Sequence, residues 1–311
     1  MSAPEGYTNP DYTGPINRNP SDGESAIVIY GYIPSLALAV VALVTFGIAL
    51  LGHVWRTTRA KQTRAFHVLF ALGCLLEIVG YGSRLSSHYS PFVVKTFVIQ
   101  YFFIVVAPIA IQAALYLALS AAVRRISGKS GKGLLGFNPK WMVIGMIIAD
   151  VITTLVQVAG AALIGTAESN LYQGKPTPIT PEQANNILLA GLALQTAAFI
   201  TFIGLLSICV ARSAKQPLSS RLPNSLSTLL YVSSSLLLLR TTFRLAECAS
   251  GIFSFASTSE GLFGGLEFTP VGLTCLLWVA VGLKKVLPED LGQERIDSRE
   301  GMTERFEGGK V

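Results

Sequence analysis

The chain has 311 residues, of which 51% are hydrophobic and only 14% charged, with a net charge of +6; the mean hydropathy is +0.52. Soluble domains carry about 25% charged residues, so this composition belongs to the membrane class. The positive charge does not point to nucleic acid, because the basic residues fall in short loops between apolar runs.

Residues 1–29 are polar and rich in Pro, Gly and Asn. They lack the basic and apolar regions of a cleavable signal, and predict a disordered extracellular tail. Pro20 blocks glycosylation at Asn19. Seven apolar stretches of about 20 residues, each enough to span a bilayer as a helix, lie at 32–54, 65–85, 93–120, 141–165, 185–211, 226–249 and 263–284. The predicted architecture is all-α: a polytopic membrane protein with seven transmembrane helices over 30–287, closed by a mixed-charge cytosolic tail, 288–311. The sixth stretch is unusual, since it carries Arg240, Arg244 and Glu247.

Orientation follows from Lys and Arg in the short loops. The loop after helix one holds Arg56, Arg59, Lys61 and Arg64. The loop after helix three holds Arg124, Arg125, Lys129, Lys132 and Lys140. The loop after helix five holds Arg212, Lys215 and Arg221. The alternate loops are nearly free of basic residues. The N-terminus is therefore expected outside and the C-terminus in the cytosol, with Lys284 and Lys285 closing helix seven.

Several features have plain structural readings. Cys74, Cys209, Cys248 and Cys275 lie in separate apolar stretches without a C-x-x-C pair, as small packing residues do. His53, His67 and His88 are expected near the interfaces, so no metal is predicted, and no cofactor. Trp55 and Trp141 suit an interfacial aromatic belt, and Trp278 suits packing between helices. "SGKSGKG" at 127–133 lacks phosphate-loop spacing. The outer loop "YQGKPTPITPEQ" reads as an extended cap.

The informative residues are ionisable groups inside the spans, each costing at least about 2.5–3.5 kcal/mol to insert. Glu77 and Arg84 stand seven apart on helix two, one line on a helix face that also holds Tyr81. Asp150 lies on helix four, Arg240, Arg244 and Glu247 on helix six, and Glu267 on helix seven. Gln100, Gln112, Gln157 and Gln195 add amides. Topology places most of these in the outer half or near mid-membrane, which suggests a polar chamber open to the outside or the outer leaflet. The matching seven-residue spacings on helices two and six predict a two-rung ladder, Glu77–Arg240 and Arg84–Glu247.

These residues resemble a known family. The "E-x-x-G-Y-x-x-R" of Glu77, Gly80, Tyr81 and Arg84 is similar to the fungal lipid-translocating exporter family, seven-helix proteins linked to 7-aminocholesterol resistance and sphingoid-base export. Ala107-Pro108 with Ala114 and Tyr116, Asp150 with Gln157 and Gly160, Gly191 with Gln195, and "RTTFRLAE" agree with it over about residues 30–285. One departure comes after Glu260: Gly264 and Glu267 stand where the family usually has Tyr and Asp. The resemblance implies an exporter or flippase of amphipathic lipids or lipid-like toxic compounds, with sphingoid-base-like cargo and a contribution to stress or drug resistance. It implies the plasma membrane, with a vacuolar or other endomembrane as alternative. Its partners would be membrane lipids and an amphipathic small molecule. A homo-oligomer or accessory protein stays open.

The residues expected to bind or translocate cargo are Glu77, Tyr81, Arg84, Asp150, Gln157, Gln195, Arg240, Arg244, Glu247 and Glu267. Gly80 and Pro108 are expected to loosen helices two and three. No ATP-binding motif is present, and no nucleophile stands beside a base, so an enzyme is not expected. The rival reading is a seven-helix lipid-sensing receptor without transport. The chain has neither D-R-Y at the end of helix three nor N-P-x-x-Y in helix seven, and lacks the mid-helix Lys a retinal protein needs.

Overall fold

The computed structural model describes residues 14–17, 19–25, 27–127, 138–172, 176–216, 221–251 and 254–287. Among these, seven helices are long and apolar enough to cross a membrane, and the chain is an integral membrane protein. They are α1 (Leu36–Arg59), α2 (Arg64–Tyr89), α3 (Val94–Ser127), α4 (Pro139–Tyr172), α5 (Pro181–Ala214), α6 (Asn224–Ser250) and α7 (Glu260–Val281).

Local chemistry sets the helix ends, and this is why they overrun the apolar stretches. Ser35 caps α1 by accepting from the Leu38 amide. Thr180 and Gln183 form a reciprocal capping box that starts α5 at Pro181, four residues before the expected span. The helix α7 ends at Gly282, whose φ of 73° is left-handed. There Arg56 of α1 donates to the carbonyls of Val279 (2.6 Å) and Ala280 (3.0 Å), satisfying the open carbonyls of a helix C-terminus with a cation.

Consecutive spans pack as antiparallel hairpins. Glycines bring the backbones together. A Cβ on Gly73 or Gly80 of α2 would lie 2.7 Å from Ile111 or Ile104 of α3, and one on Gly160 of α4 would lie 2.6 Å from the Leu188 amide of α5. Gly80 is thus a close-approach residue and not the loosening point expected from the sequence. The helix α3 is the most buried span, and α7 closes the bundle by packing beside α1 and α6. One end of the bundle carries the basic loops and is called the basic end. The other carries the segment before α1.

That segment is a strap. Ser25 donates to the Phe92 carbonyl (2.8 Å) and Val94 to the Gly23 carbonyl (3.1 Å), with an antiparallel bridge between Glu24 and Val93. Val28 is fully buried, and His88 Nδ1 meets the Pro34 carbonyl at 2.8 Å. The expected tail 1–29 therefore needs correction in its second half, where backbone pairing to the α2–α3 turn ties it down. Residues 1–13 and the tail 288–311 lie outside the described residues, as do 128–133 of the basic loop.

The structure adds burial to the expected positions of two histidines. His53 and His67 lie within two turns of the helix ends at the basic end but are buried between helices and not exposed there, their Nδ1 atoms 3.1 Å apart, with His53 Nε2 at 3.2 Å from the Cys275 carbonyl. Trp55 and Trp141 are exposed on the bundle surface, while Trp278 is buried and donates to Ser233 Oγ.

Candidate functional site

The helix α2 turns a narrow stripe inward. His67, Phe70, Cys74, Glu77, Tyr81 and Arg84 are all buried, at alternating steps of three and four, the spacing of one helix face. Its apolar and aromatic members pack conventionally. Tyr81 stacks on Phe46 at 5.8 Å and meets Phe263 and Phe268 edge-on.

The charged members meet a cluster supplied by α6 and α7. Arg240 donates from Nε and Nη2 to Glu267 Oε1 at 2.9 and 2.6 Å. Arg244 Nε lies 2.9 Å from Glu267 Oε2, and its Nη1 reaches Glu247 at 3.0 Å. Glu267 thus bridges two guanidinium groups while 1% exposed. Its position depends on local geometry: Phe263–Phe268 form a π-helical turn, closed by the Thr269 amide donating to the Gly264 carbonyl five residues back, with Thr269 Oγ1 donating to the same oxygen. A π turn inserts one residue and re-aims the side chains beyond it; such turns concentrate at functional sites. Gly264 and Gly265, free of bulky side chains, make the wide turn easy.

Arg84 belongs to a second pair nearer the strap. Its Nη2 donates to Glu260 Oε1 and to the Tyr32 hydroxyl, both at 2.9 Å, and Glu260 also accepts the Ser35 amide at 2.8 Å. The guanidinium of Arg84 sits 4.3 Å over the Phe263 ring, with that of Arg244 5.8 Å from the same ring, a cation–π arrangement. Tyr30 donates to Gln100 at 2.6 Å and shares a 2.9 Å hydrogen bond with Ser87. Burial pushes the Tyr30 phenol up to about 12, with Ser87 and Arg84 opposing the shift. Burial raises Tyr32 too, against the pull of Arg84. Both phenols stay neutral and hold the strap across the mouth of the cluster.

Glu77 stands apart. It is 2% exposed and within electrostatic range of Glu267, Arg240 and Arg244. Among the described residues its carboxyl accepts no hydrogen bond and joins no ion pair. Four carboxyls (Glu77, Glu247, Glu260, Glu267) face three guanidiniums (Arg84, Arg240, Arg244), so one carboxyl is surplus.

Asp150, Gln157 and Gln195 are not in this cluster. They form a second one between α3, α4 and α5, where Tyr116 donates to Asp150 Oδ2 at 2.8 Å and Gln157 Nε2 to Gln195 Oε1 at 2.8 Å. The ten expected residues thus fall into two sites. The expected ladder is also replaced. Arg240 pairs with Glu267 and Arg84 with Glu260, because α3 and α7, not α2, are what α6 faces at this level. Reasoning from sequence passed over Tyr32 and Glu260 as site residues. The signal for Glu260 was present, since it precedes Glu267 by seven residues as Glu77 precedes Arg84. Among the described residues no group of three or more His, Cys, Asp or Glu has metal-site geometry.

A family model described as "RTA1 like protein" matches residues 70–290, more than two thirds of the chain. This chain belongs to the RTA1-like family. The matched region holds both clusters, while the strap and α1 precede it. Curated relatives include Protein RTM1 of Saccharomyces cerevisiae, 24% identical over 74% of this chain and 71% of its own. The Sphingoid long-chain base transporter RSB1 of the same species is 25% identical over 56% of this chain. The Lipid-translocating exporter-like protein RTA1 of Leptosphaeria maculans is 26% identical over 74%. The chain spans less than half the length of the last two, 42% and 44%. No solved structure matches.

Proposed function

We propose that this RTA1-like chain exports or flips amphipathic lipids with a cationic, sphingoid-base-like head, without catalysis. The surplus carboxyl of Glu77 is the observation that carries this reading. A buried carboxyl outside any ion pair, with both nearby guanidiniums engaged by other carboxylates, holds a proton or takes a cationic group. An ammonium head suits that role, adjoining Tyr81 and its aromatic neighbours, while the apolar tail stays in lipid. The names of the RSB1 and RTA1 relatives support the same class of cargo. The strap closes the cluster, so the head reaches Glu77 only when Tyr32 and Tyr30 release Arg84, Ser87 and Gln100. The basic loops at the opposite end favour the strap end as the outer one. Removal of membrane-active amphiphiles from the plasma membrane accounts for a role in resistance.

The test is transbilayer movement of a labelled sphingoid base in liposomes, with wild type beside Glu77→Gln and Glu247→Gln. Movement in the wild type that is lost in both variants is the expected result. Saturable lipid binding with no movement above empty liposomes would instead make the protein a lipid-sensing receptor.

A further inference from the structure

The second cluster has more hydrogen-bonding capacity than partners. Of ten buried side-chain polar atoms without a hydrogen bond among the described residues, six lie here: both amide atoms of Gln112, Asp150 Oδ1, Thr154 Oγ1, Gln157 Oε1 and Gln195 Nε2. Asp150, Thr154 and Gln157 share one face of α4, at the four- and seven-residue spacings of a helix stripe. The antiparallel α3 brings Tyr116 to the level of Asp150, which sets Gln112, one turn away, at the level of Thr154.

We infer that Asp150, Gln112, Thr154 and Gln157 form a site for one small monovalent cation, a sodium ion or a hydronium. Four of the unpartnered atoms are oxygens, the donor type hard cations take. One carboxylate supplies one negative charge, and among the described residues no cationic side chain pairs with it. The helix α4 packs on α3 and α5. From α3 come Tyr116, a titratable neighbour that donates to Asp150, and Gln112 one turn away. From α5 come Gln195, bonded to Gln157, and Phe199 and Phe202, packed on Tyr116; none of these titrates. The site is too tight for a lipid head. A Cβ on Gly191 of α5 would lie 3.0 Å from the Thr153 carbonyl and 2.8 Å from Gln157 Cγ, so the two backbones are in contact beside it.

The site is separate from the cluster assigned to cargo but shares α3 with it. Gln112 lies two turns along that helix from Ile104, whose carbonyl accepts from Arg240. Cation binding therefore bears on the helix that positions the ionic cluster. This coupling rests on the transport reading; the cation site itself does not.

The experiment measures the thermal unfolding midpoint of the full-length protein in lipid nanodiscs. Sodium is varied against N-methyl-D-glucamine at constant ionic strength and fixed pH, and pH is varied at fixed sodium. The wild-type midpoint rises with sodium or on acidification, and Asp150→Asn abolishes the response. Thr154→Val and Gln112→Leu raise the half-saturating concentration roughly tenfold or more and carry the test if Asp150→Asn does not fold. A sodium response at fixed pH identifies sodium; a pH response indifferent to sodium identifies the hydronium. No response in wild type, or one that survives in all three variants, overturns the site. Lipid movement in liposomes is scored separately: its absence with the cation response intact defeats the transport reading and leaves this site standing.

Discussion

Arg240 donates from Nη2 to the Ile104 carbonyl at 3.0 Å, and that carbonyl is open because Pro108, four residues on in α3, has no N–H to give it. A proline inside a helix leaves one acceptor without its usual donor; here a guanidinium from α6 supplies the bond. Proline thus acts as part of the ionic cluster and not only as a bend.

Replacing Pro108 with Ala returns an N–H to compete for that carbonyl. Proline costs a helix about 3 kcal/mol relative to alanine, so the unfolding midpoint of Pro108→Ala should hold or rise. Lipid movement in liposomes should fall several-fold, because Arg240 loses a positioning contact. A variant with unchanged transport would show that the contact has no part in function.

The Arg240–Glu267 pair is almost wholly buried. Removing one partner, as in Glu267→Ala, should destabilise by about 3–5 kcal/mol, since it strands a buried charge. Replacing both, Arg240→Met with Glu267→Leu, should recover part of that stability, since Arg244 then keeps only Glu247, but no lipid movement. Thermal unfolding beside the liposome assay separates the outcomes; recovered transport in the double variant would make the pair a packing device.

Close helix approach at α4–α5 predicts a contrast between glycines. Gly160→Ala places a methyl against the Leu188 backbone, which cannot move aside as a side chain would, and should cost about 1–3 kcal/mol. Gly165→Ala on the same helix meets nothing within 4 Å and should be neutral or stabilising by up to about 1 kcal/mol. Unfolding midpoints of the two variants check this directly.

The strap should respond to alkali. The folded state holds the Tyr30 phenol protonated up to about 12, above the usual 10 of an exposed tyrosine. Between those values the unfolded chain has lost the proton and the folded one keeps it, so stability falls as pH rises. The thermal unfolding midpoint should be steady near neutral pH and fall as pH climbs from about 10 towards 12. Tyr30→Phe removes this alkaline step but loosens the strap at every pH.

The seven spans and the inward stripe on α2 were legible because apolar length and helical spacing are local properties. The identities of Glu77, Arg84, Arg240, Arg244, Glu247 and Glu267 were legible because charge within a span is conspicuous. Their pairing was not. Equal spacing on α2 and α6 suggested a ladder, but α3 supplies the Ile104 carbonyl at that level, and the π turn swings Glu267 into reach of both arginines. The strap was missed for the opposite reason: Tyr30 and Tyr32 sit beside a polar, proline-rich stretch whose composition resembles a free tail. The positions of His53 and His67 near the basic end were legible, but not their burial, which needs the imidazoles to satisfy each other and the Cys275 carbonyl.

The π turn at Phe263–Phe268 also sets a rule about counting. An α-helix advances about 100° per residue, and the wide turn absorbs one residue without advancing the face. Deleting Gly264 or Gly265 would leave every charged residue of the cluster in the sequence and keep α7 apolar and long. It would also let the wide turn close into ordinary α-helix with Glu260 and Glu267 still facing as before, whereas a deletion in the regular turns of α7 has no such slack and rotates the face beyond it by about 100°. The wide turn is therefore where the chain between the two acids can lose one residue and keep both carboxylates facing their arginines.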